Sequence, residues 1–305
     1  MSEVFVAYTK ISLAMAIVGS SVVVGKLIIA TFPVFLASEL RLLVALIILI
    51  PLMIKQEQGI PAISKKDLWS LFWQSLTGIF LFNIFMLNGL KSTSAVETGI
   101  ITSVTPAVVG LIAYVFLTER LGKNTWIGIL LAVIGTLALT VLGSFLQGER
   151  GSNPLLGNLL VFGAVFCEAF FLIIAKSVLG RITPLTVSTI ICIFAALLFL
   201  PLSIYQAVSF DFLSVTLVEW QYVAYYGIVV TVLAFVLMYQ GLSKVPASTA
   251  GVLTGVLPLS AVVLSHVILR EEFLWSQLIG LGCVLSSIVI IARDTKDITD
   301  ETYTS

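Results

Sequence analysis

Residues 89–119, GLKSTSAVETGIITSVTPAVVGLIAYVFLTE, recur in altered form as residues 241–271, GLSKVPASTAGVLTGVLPLSAVVLSHVILRE. Both copies open with Gly-Leu. They then carry Ala95/Ala247, Gly99/Gly251, Thr102/Thr254, Pro106/Pro258 and Glu119/Glu271, every pair 152 residues apart. Extended to 89–128 and 241–280, twelve of forty aligned positions are identical. Upstream, an offset near 150 pairs Lys26 with Lys176 and Pro51 with Pro201. Chance similarity between two apolar segments explains the matched proline and glutamate least well. About five apolar spans separate the copies, and an odd number of crossings turns the second copy upside down. Such inverted duplicates are the plan of many secondary transporters, with the substrate site where the halves meet.

Composition places the chain in lipid. Of its 305 residues, 59% are hydrophobic and 10% are charged, and the mean hydropathy is +1.13. A soluble domain averages roughly 25% charged residues, so water cannot be the main solvent of the outer face. The net charge is zero; no basic patch supports a nucleic-acid partner. Cys167, Cys192 and Cys283 lie inside apolar runs without ligand spacing, which points away from metal or redox roles. The apolar run after Lys10 continues past the length of a signal h-region and reads as a first span.

A span needs about 20 mostly apolar residues. Ten stretches qualify: 9–30, 34–54, 68–90, 94–117, 124–145, 155–177, 184–207, 216–241, 246–269 and 275–293. The fold class is therefore all-α, a polytopic membrane protein of ten transmembrane helices in two inverted five-helix repeats. The first repeat covers 1–147, the second 154–293, and 294–305 form a polar, disordered cytoplasmic tail. Lys55–Lys66 and Gln147–Pro154 read as polar loops, and Pro33 and Pro184 suit first helical turns. With the N-terminus inside, loops on that side carry 11 lysines and arginines against 3 outside, and Lys26 and Arg41 fall within spans. The positive-inside rule then puts both termini in the cytoplasm and the chain in the plasma or inner membrane.

The repeated Gly-Leu–x4–Ala–x3–Gly–x6–Pro–x12–Glu pattern resembles the EamA repeat of the drug/metabolite transporter superfamily. The apolar stretch ending near Arg41 is similar to the early part of that repeat. The second half departs from it there, with Cys192 near the equivalent place. The resemblance covers nearly the whole chain. It implies a ten-helix exporter of small metabolites or drugs working by alternating access, with a cavity lined by spans one, three, four, six, eight and nine.

A charge at the bilayer centre costs at least about 2.5–3.5 kcal/mol, so each one needs a reason. Glu168 stands midway along span six. Apolar surroundings disfavour a charged carboxyl, which suits it to exchange protons or to bind a cationic substrate group; a buried neutral Glu bonded to a neighbour is the structural alternative. His266, the single histidine, and its repeat equivalent Tyr114 are further candidates. Asn83, Asn88 and Gln240 can line a polar cavity or bond between helices. Glu97 and Glu39 open spans four and two, where the helix dipole already favours an acid. Arg41 can hold an anionic group; either Arg41 or Lys26 can pair with Glu39, and Lys26 can instead snorkel to the interface. Pro106 and Pro258 fall mid-span, where each is expected to remove a hydrogen bond and kink its helix beside the cavity. The five tryptophans read as interfacial anchors.

No phosphate-binding loop, metalloprotease motif or nucleophile elbow occurs, and a channel filter is absent. The sequence thus points to a transporter, not an enzyme, with no cofactor and no metal. Its expected partners are a small-molecule substrate, the lipid bilayer and protons, without nucleic acid, and a monomer is the favoured state. An uncoupled facilitator, or a membrane enzyme or lipid-handling protein, are the alternatives.

Overall fold

The computed structural model describes residues 3–93, 98, 101–119, 121–140, 153–269 and 278–290. Among these residues every regular element is helical and none is a strand. Seven helices are long and apolar enough to cross a membrane: Glu3–Ile29, Val34–Gln56, Lys65–Gly89, Leu155–Val178, Pro184–Ala207, Leu217–Leu242 and Ala247–Ile268. Three shorter apolar helices, Thr105–Phe116, Lys123–Gly135 and Leu278–Ile290, accompany them. The chain is an all-α, polytopic membrane protein.

Helix ends follow the polar residues. α1 (Glu3–Ile29) gives way at Thr31-Phe32-Pro33 to α2 (Val34–Gln56). Ser64 Oγ accepts from the Asp67 amide at 3.1 Å and starts α3 (Lys65–Ser75), so helices intrude at both ends on the loop expected over 55–66. A π-helical segment, Leu76–Leu81, joins α3 to α4 (Phe82–Ser92). Then come α5 (Thr105–Phe116) and α6 (Lys123–Thr140). Asn153 caps α7 (Pro154–Val178) and Thr183 caps α8 (Pro184–Ala207); each places proline in the first turn, where its missing N–H is no loss. α9 (Leu217–Tyr225) runs through a second π-helical segment, Tyr226–Leu233, into α10 (Ala234–Leu242). α11 (Ala247–Leu253) and α12 (Val256–Leu269) follow, and α13 (Leu278–Ile290) ends the described chain.

The repeat offset recurs in the structure. The π segments end at Leu81 and Leu233, 152 residues apart. Gly89 and Gly241, the first repeated pair, pack in corresponding ways. A Cβ on Gly241 would stand 2.8 Å from the Ala7 carbonyl oxygen of α1 and would overlap Ile11. A Cβ on Gly89 would stand 2.7 Å from Val161 and 3.2 Å from the Gly157 carbonyl oxygen of α7. Lipid offers no hydrophobic drive between helices, so such close backbone approach is what packs them.

Two groups of helices result. In one, α1 packs along α9–α10 and α12; in the other, α7 packs along α3–α4 and α5. α2 packs along α8 at the flank, and α11 meets α5 between the groups. Polar bonds fix the directions. Where α1 starts, Lys10 Nζ donates to Gln240 at 2.8 Å and Lys244 pairs with Glu3 at 3.1 Å. At that end Arg181, just past α7, pairs with Asp67 of α3 at 2.6 Å, and Thr183 donates to Glu57 at 2.6 Å. At the opposite end Thr31 donates to Glu219, the Phe35 amide donates to Gln206 at 2.9 Å, and Thr93 donates to Asn158 at 2.5 Å. α1 thus runs antiparallel to α9–α10, α2 to α8, and α3–α4 to α7.

Candidate functional site

A cavity of about 280 Å³ lies between the two groups. α1 contributes Met15, Val18 and Ser21; the π segment before α4, with α4 itself, contributes Gly78, Ile79, Phe82 and Asn83; α7 contributes Glu168, Phe171 and Leu172. The second π segment and α10 add Tyr226, Val230, Phe235 and Met238, the break after α11 adds Thr254 and Leu257, and α2 adds Arg41. The wall is mostly aromatic and aliphatic, with three strongly polar groups, the pattern of a small-molecule site. Both π segments reach this cavity, and π bulges concentrate at functional sites.

The structure brings Arg41, Asn83 and Glu168 together, three of the residues singled out in the sequence. Arg41 places its guanidinium carbon 5.0 Å from the centre of the Tyr226 ring, a cation–π contact that stabilises the charge without neutralising it. Asn83 Nδ2 donates to the Ile79 carbonyl of the π segment at 2.5 Å. Glu168 Oε2 accepts from Thr105 Oγ1 of α5 at 3.4 Å, a long contact.

Other expected candidates stand elsewhere. Tyr114 is 57% exposed and His266 is also exposed, so both lie on the outer surface away from the cavity. Glu97 falls outside the described residues. Glu39 is not in the first turn of its helix; it is the sixth residue of α2, 4% exposed, and its Oε2 has no hydrogen-bond partner among the described residues. The pairing considered with Arg41 does not form, because Arg41 turns to Tyr226 instead. Asn88 bonds the Ile84 carbonyl of its own helix. Trp220 packs edge-on to Phe32 at 5.5 Å, whereas Trp69, Trp73 and Trp126 are exposed as interfacial anchors would be.

Pro106 and Pro258 do not kink continuous helices. The chain turns at Val104 and again at Thr254-Gly255, and a new helix starts at Thr105 and at Val256. Each proline therefore sits in the first turn of a helical segment, where its N–H would have no intrahelical partner. The interruption is a helix break beside the cavity, with Thr254 and Leu257 of the second break on its wall. Spans one, three, six, eight and nine line the cavity as expected; α2 replaces the expected span four, whose Thr105 reaches it through Glu168. The aromatic wall carried no signal in the sequence, since Phe82, Phe171 and Phe235 look like any other apolar span residue until the helices are packed.

Fold and cavity define a polytopic membrane protein with a small-molecule-sized cavity between its helices. The chain belongs to the EamA-like transporter family, which it matches over residues 6–141 and 155–293. It is 46% identical over 292 residues to the transporter YetK of Bacillus subtilis (strain 168), itself described as uncharacterized, covering 95% of this chain and 88% of YetK. It is 24% identical over 261 residues to the uncharacterized inner membrane transporter YicL of Salmonella typhimurium, covering 84% of each. A solved crystal structure superposes with a TM-score of 0.76 at 18% identity, covering 95% of this chain and 98% of the other, and shares the fold.

Proposed function

We propose that the chain is a secondary transporter that exports small amphipathic metabolites, such as amino acids or related compounds, or drugs, by alternating access with proton exchange at Glu168. The observation that carries this reading is the convergence of Arg41, Asn83 and Glu168 on one apolar-walled cavity between two groups of helices. An apolar body finds the aromatic wall, and its polar head finds the three polar side chains. So few polar groups argue against a highly charged substrate.

The architecture that suits this reading is ten transmembrane helices in two inverted repeats of five, 1–147 and 154–293. The support is threefold: the offset of 152 residues between the ends of the π segments, the corresponding packing of Gly89 and Gly241, and the end pairing of the helices. α7 ends where α1 starts, which is what inversion requires of first helices in two halves. Lysine and arginine bias supports a cytoplasmic location for that end and both termini, in the plasma or inner membrane; the proposed state is a monomer.

Vesicles reconstituted with the full chain test the proposal. Counterflow of an unmodified amphipathic solute, faster under an imposed pH gradient, is the expected result. Equal rates with and without the gradient would make the protein an uncoupled facilitator, and chemical conversion of the solute would make it an enzyme.

A further inference from the structure

Building on the transport reading, we propose that Gln74, Tyr239, Lys176 and Glu119 form the gate that closes the cavity toward the end where α1 starts. Alternating access by two rocking groups of helices requires bonds that join the groups on the closed side and release on the open one. These four residues make bonds of that kind.

The inner layer is the cavity floor. Tyr239 of α10 is fully buried, its ring 6.1 Å from Phe171 and 6.2 Å from Phe235, both on the cavity wall. Its hydroxyl accepts from Gln74 Nε2 of α3 at 2.8 Å, which ties one group to the other. Gln74 is itself fully buried, and its Oε1 has no hydrogen-bond partner among the described residues. A buried unpaired carbonyl is unfavourable, so the floor is held in an arrangement its own polar groups do not saturate.

The outer layer clamps the turn between α10 and α11. Lys176 Nζ of α7 donates to the carbonyls of Leu242 at 2.9 Å and Val245 at 2.7 Å, at the C-terminal end of α10. Glu119, just past α5, accepts from the amides of Ala247 at 2.7 Å and Ser248 at 3.0 Å, and from Ser248 Oγ at 2.8 Å, at the N-terminal end of α11. A cation thus holds a helix C-terminus and an anion holds the next N-terminus, each favoured by the helix dipole. Both charges come from the group of α7; Lys176 holds the end of α10 in the group of α1, and Glu119 holds the start of α11, which links α10 to α12 between the groups. The sequence repeats the two charges, as Lys26 and Glu271, at the offsets that relate the halves.

The test uses the full chain in oriented membranes, with Cys167, Cys192 and Cys283 replaced and Ser21→Cys as a reporter on the cavity wall. An impermeant maleimide is applied from the side of the α1 start. Lys176→Gln, Glu119→Gln and Tyr239→Ala should each speed labelling by about tenfold, as an open state populated at about 1–10% becomes a major one. Labelling at the parent rate in variants that keep the parent melting temperature would overturn the gate. Should single variants fold poorly, Glu119→Cys with Ser248→Cys, joined by a short bifunctional thiol reagent, gives the reverse measurement. Joined protein should resist labelling from this side and lose counterflow, and undiminished counterflow would reject the gate. Labelling reads the gate without any solute, so faster labelling with no transport of any solute would uphold the gate while refuting the transport reading.

Discussion

Gly251 of α11 faces Val109 of α5 so closely that a Cβ on the glycine would stand 2.6 Å from Val109 Cγ1 and 2.8 Å from Val109 Cβ. Neither atom is the free end of a flexible chain, so the neighbour cannot yield cheaply. This contact fixes how closely α11, which lies between the two groups, approaches α5. Gly251→Ala should destabilise the bundle by about 1–3 kcal/mol, and Gly251→Val by more. Thermal unfolding in detergent, with Val109→Ala as a rescuing second change, measures it. An unchanged melting temperature for Gly251→Ala would mean that the halves do not press together there.

Glu168→Gln keeps the size and hydrogen-bonding capacity of the side chain and removes its proton exchange. Counterflow of a solute without a pH gradient should persist within a fewfold, while acceleration by the gradient should vanish. The mixed loss of both would point instead to Glu168 as a substrate ligand, because a residue that binds solute in every step affects both assays. Gradient-driven transport at the parent rate in Glu168→Gln would remove coupling from this residue.

Ser92 and Lys244 occupy matching places in the repeat, 152 residues apart. Ser92 ends α4 beside the start of α7, where its carbonyl accepts from the Asn153 amide at 3.1 Å. Lys244 follows α10 and pairs with Glu3 at the start of α1. Single cysteines at these positions, Ser92→Cys and Lys244→Cys, should label from opposite faces of the membrane. Labelling from one face would end the reading of the halves as inverted.

Much of the fold was legible because lipid imposes strict rules. Six of the seven long helices match the spans read from hydropathy within three residues at each end, and the first begins six residues earlier, since a spanning segment has little freedom in length. The helix starts at Val34 and Pro184 were likewise written in proline, whereas Pro154, read as the end of a loop, opens α7. The site was half legible. Glu168, Asn83 and Arg41 stood out because polar groups are costly in a membrane span. Tyr114 and His266 misled for the same reason: a polar group on an apolar helix does not say which way it faces. Span four, which reads as continuous, breaks before Pro106, because hydropathy records composition and not hydrogen bonding. Tyr239 and Gln74 were hidden because they matter through each other, across 165 residues of chain.

The π segments offer the last test. Each interrupts one of the long helices, and each delivers cavity residues, Gly78 and Ile79 in the first, Tyr226 and Val230 in the second. A π bulge accommodates one residue beyond the regular α pattern, so removing one restores continuous α-helix without demanding new contacts at the helix ends. Removal of Ile228, which is 43% exposed, is the mildest such change. It should leave a folded, membrane-inserted protein, because the anchors Thr31–Glu219 and Lys10–Gln240 lie outside the segment. It should also turn Tyr226 about 100° relative to α10, one residue of helical rotation, and take it from Arg41. Solute binding, read by thermal shift with a panel of amphipathic compounds, should then weaken at least about tenfold, the factor expected when about 1.4 kcal/mol of contact is lost. Binding equal to the parent protein would mean that the π winding shapes the helix but not the site.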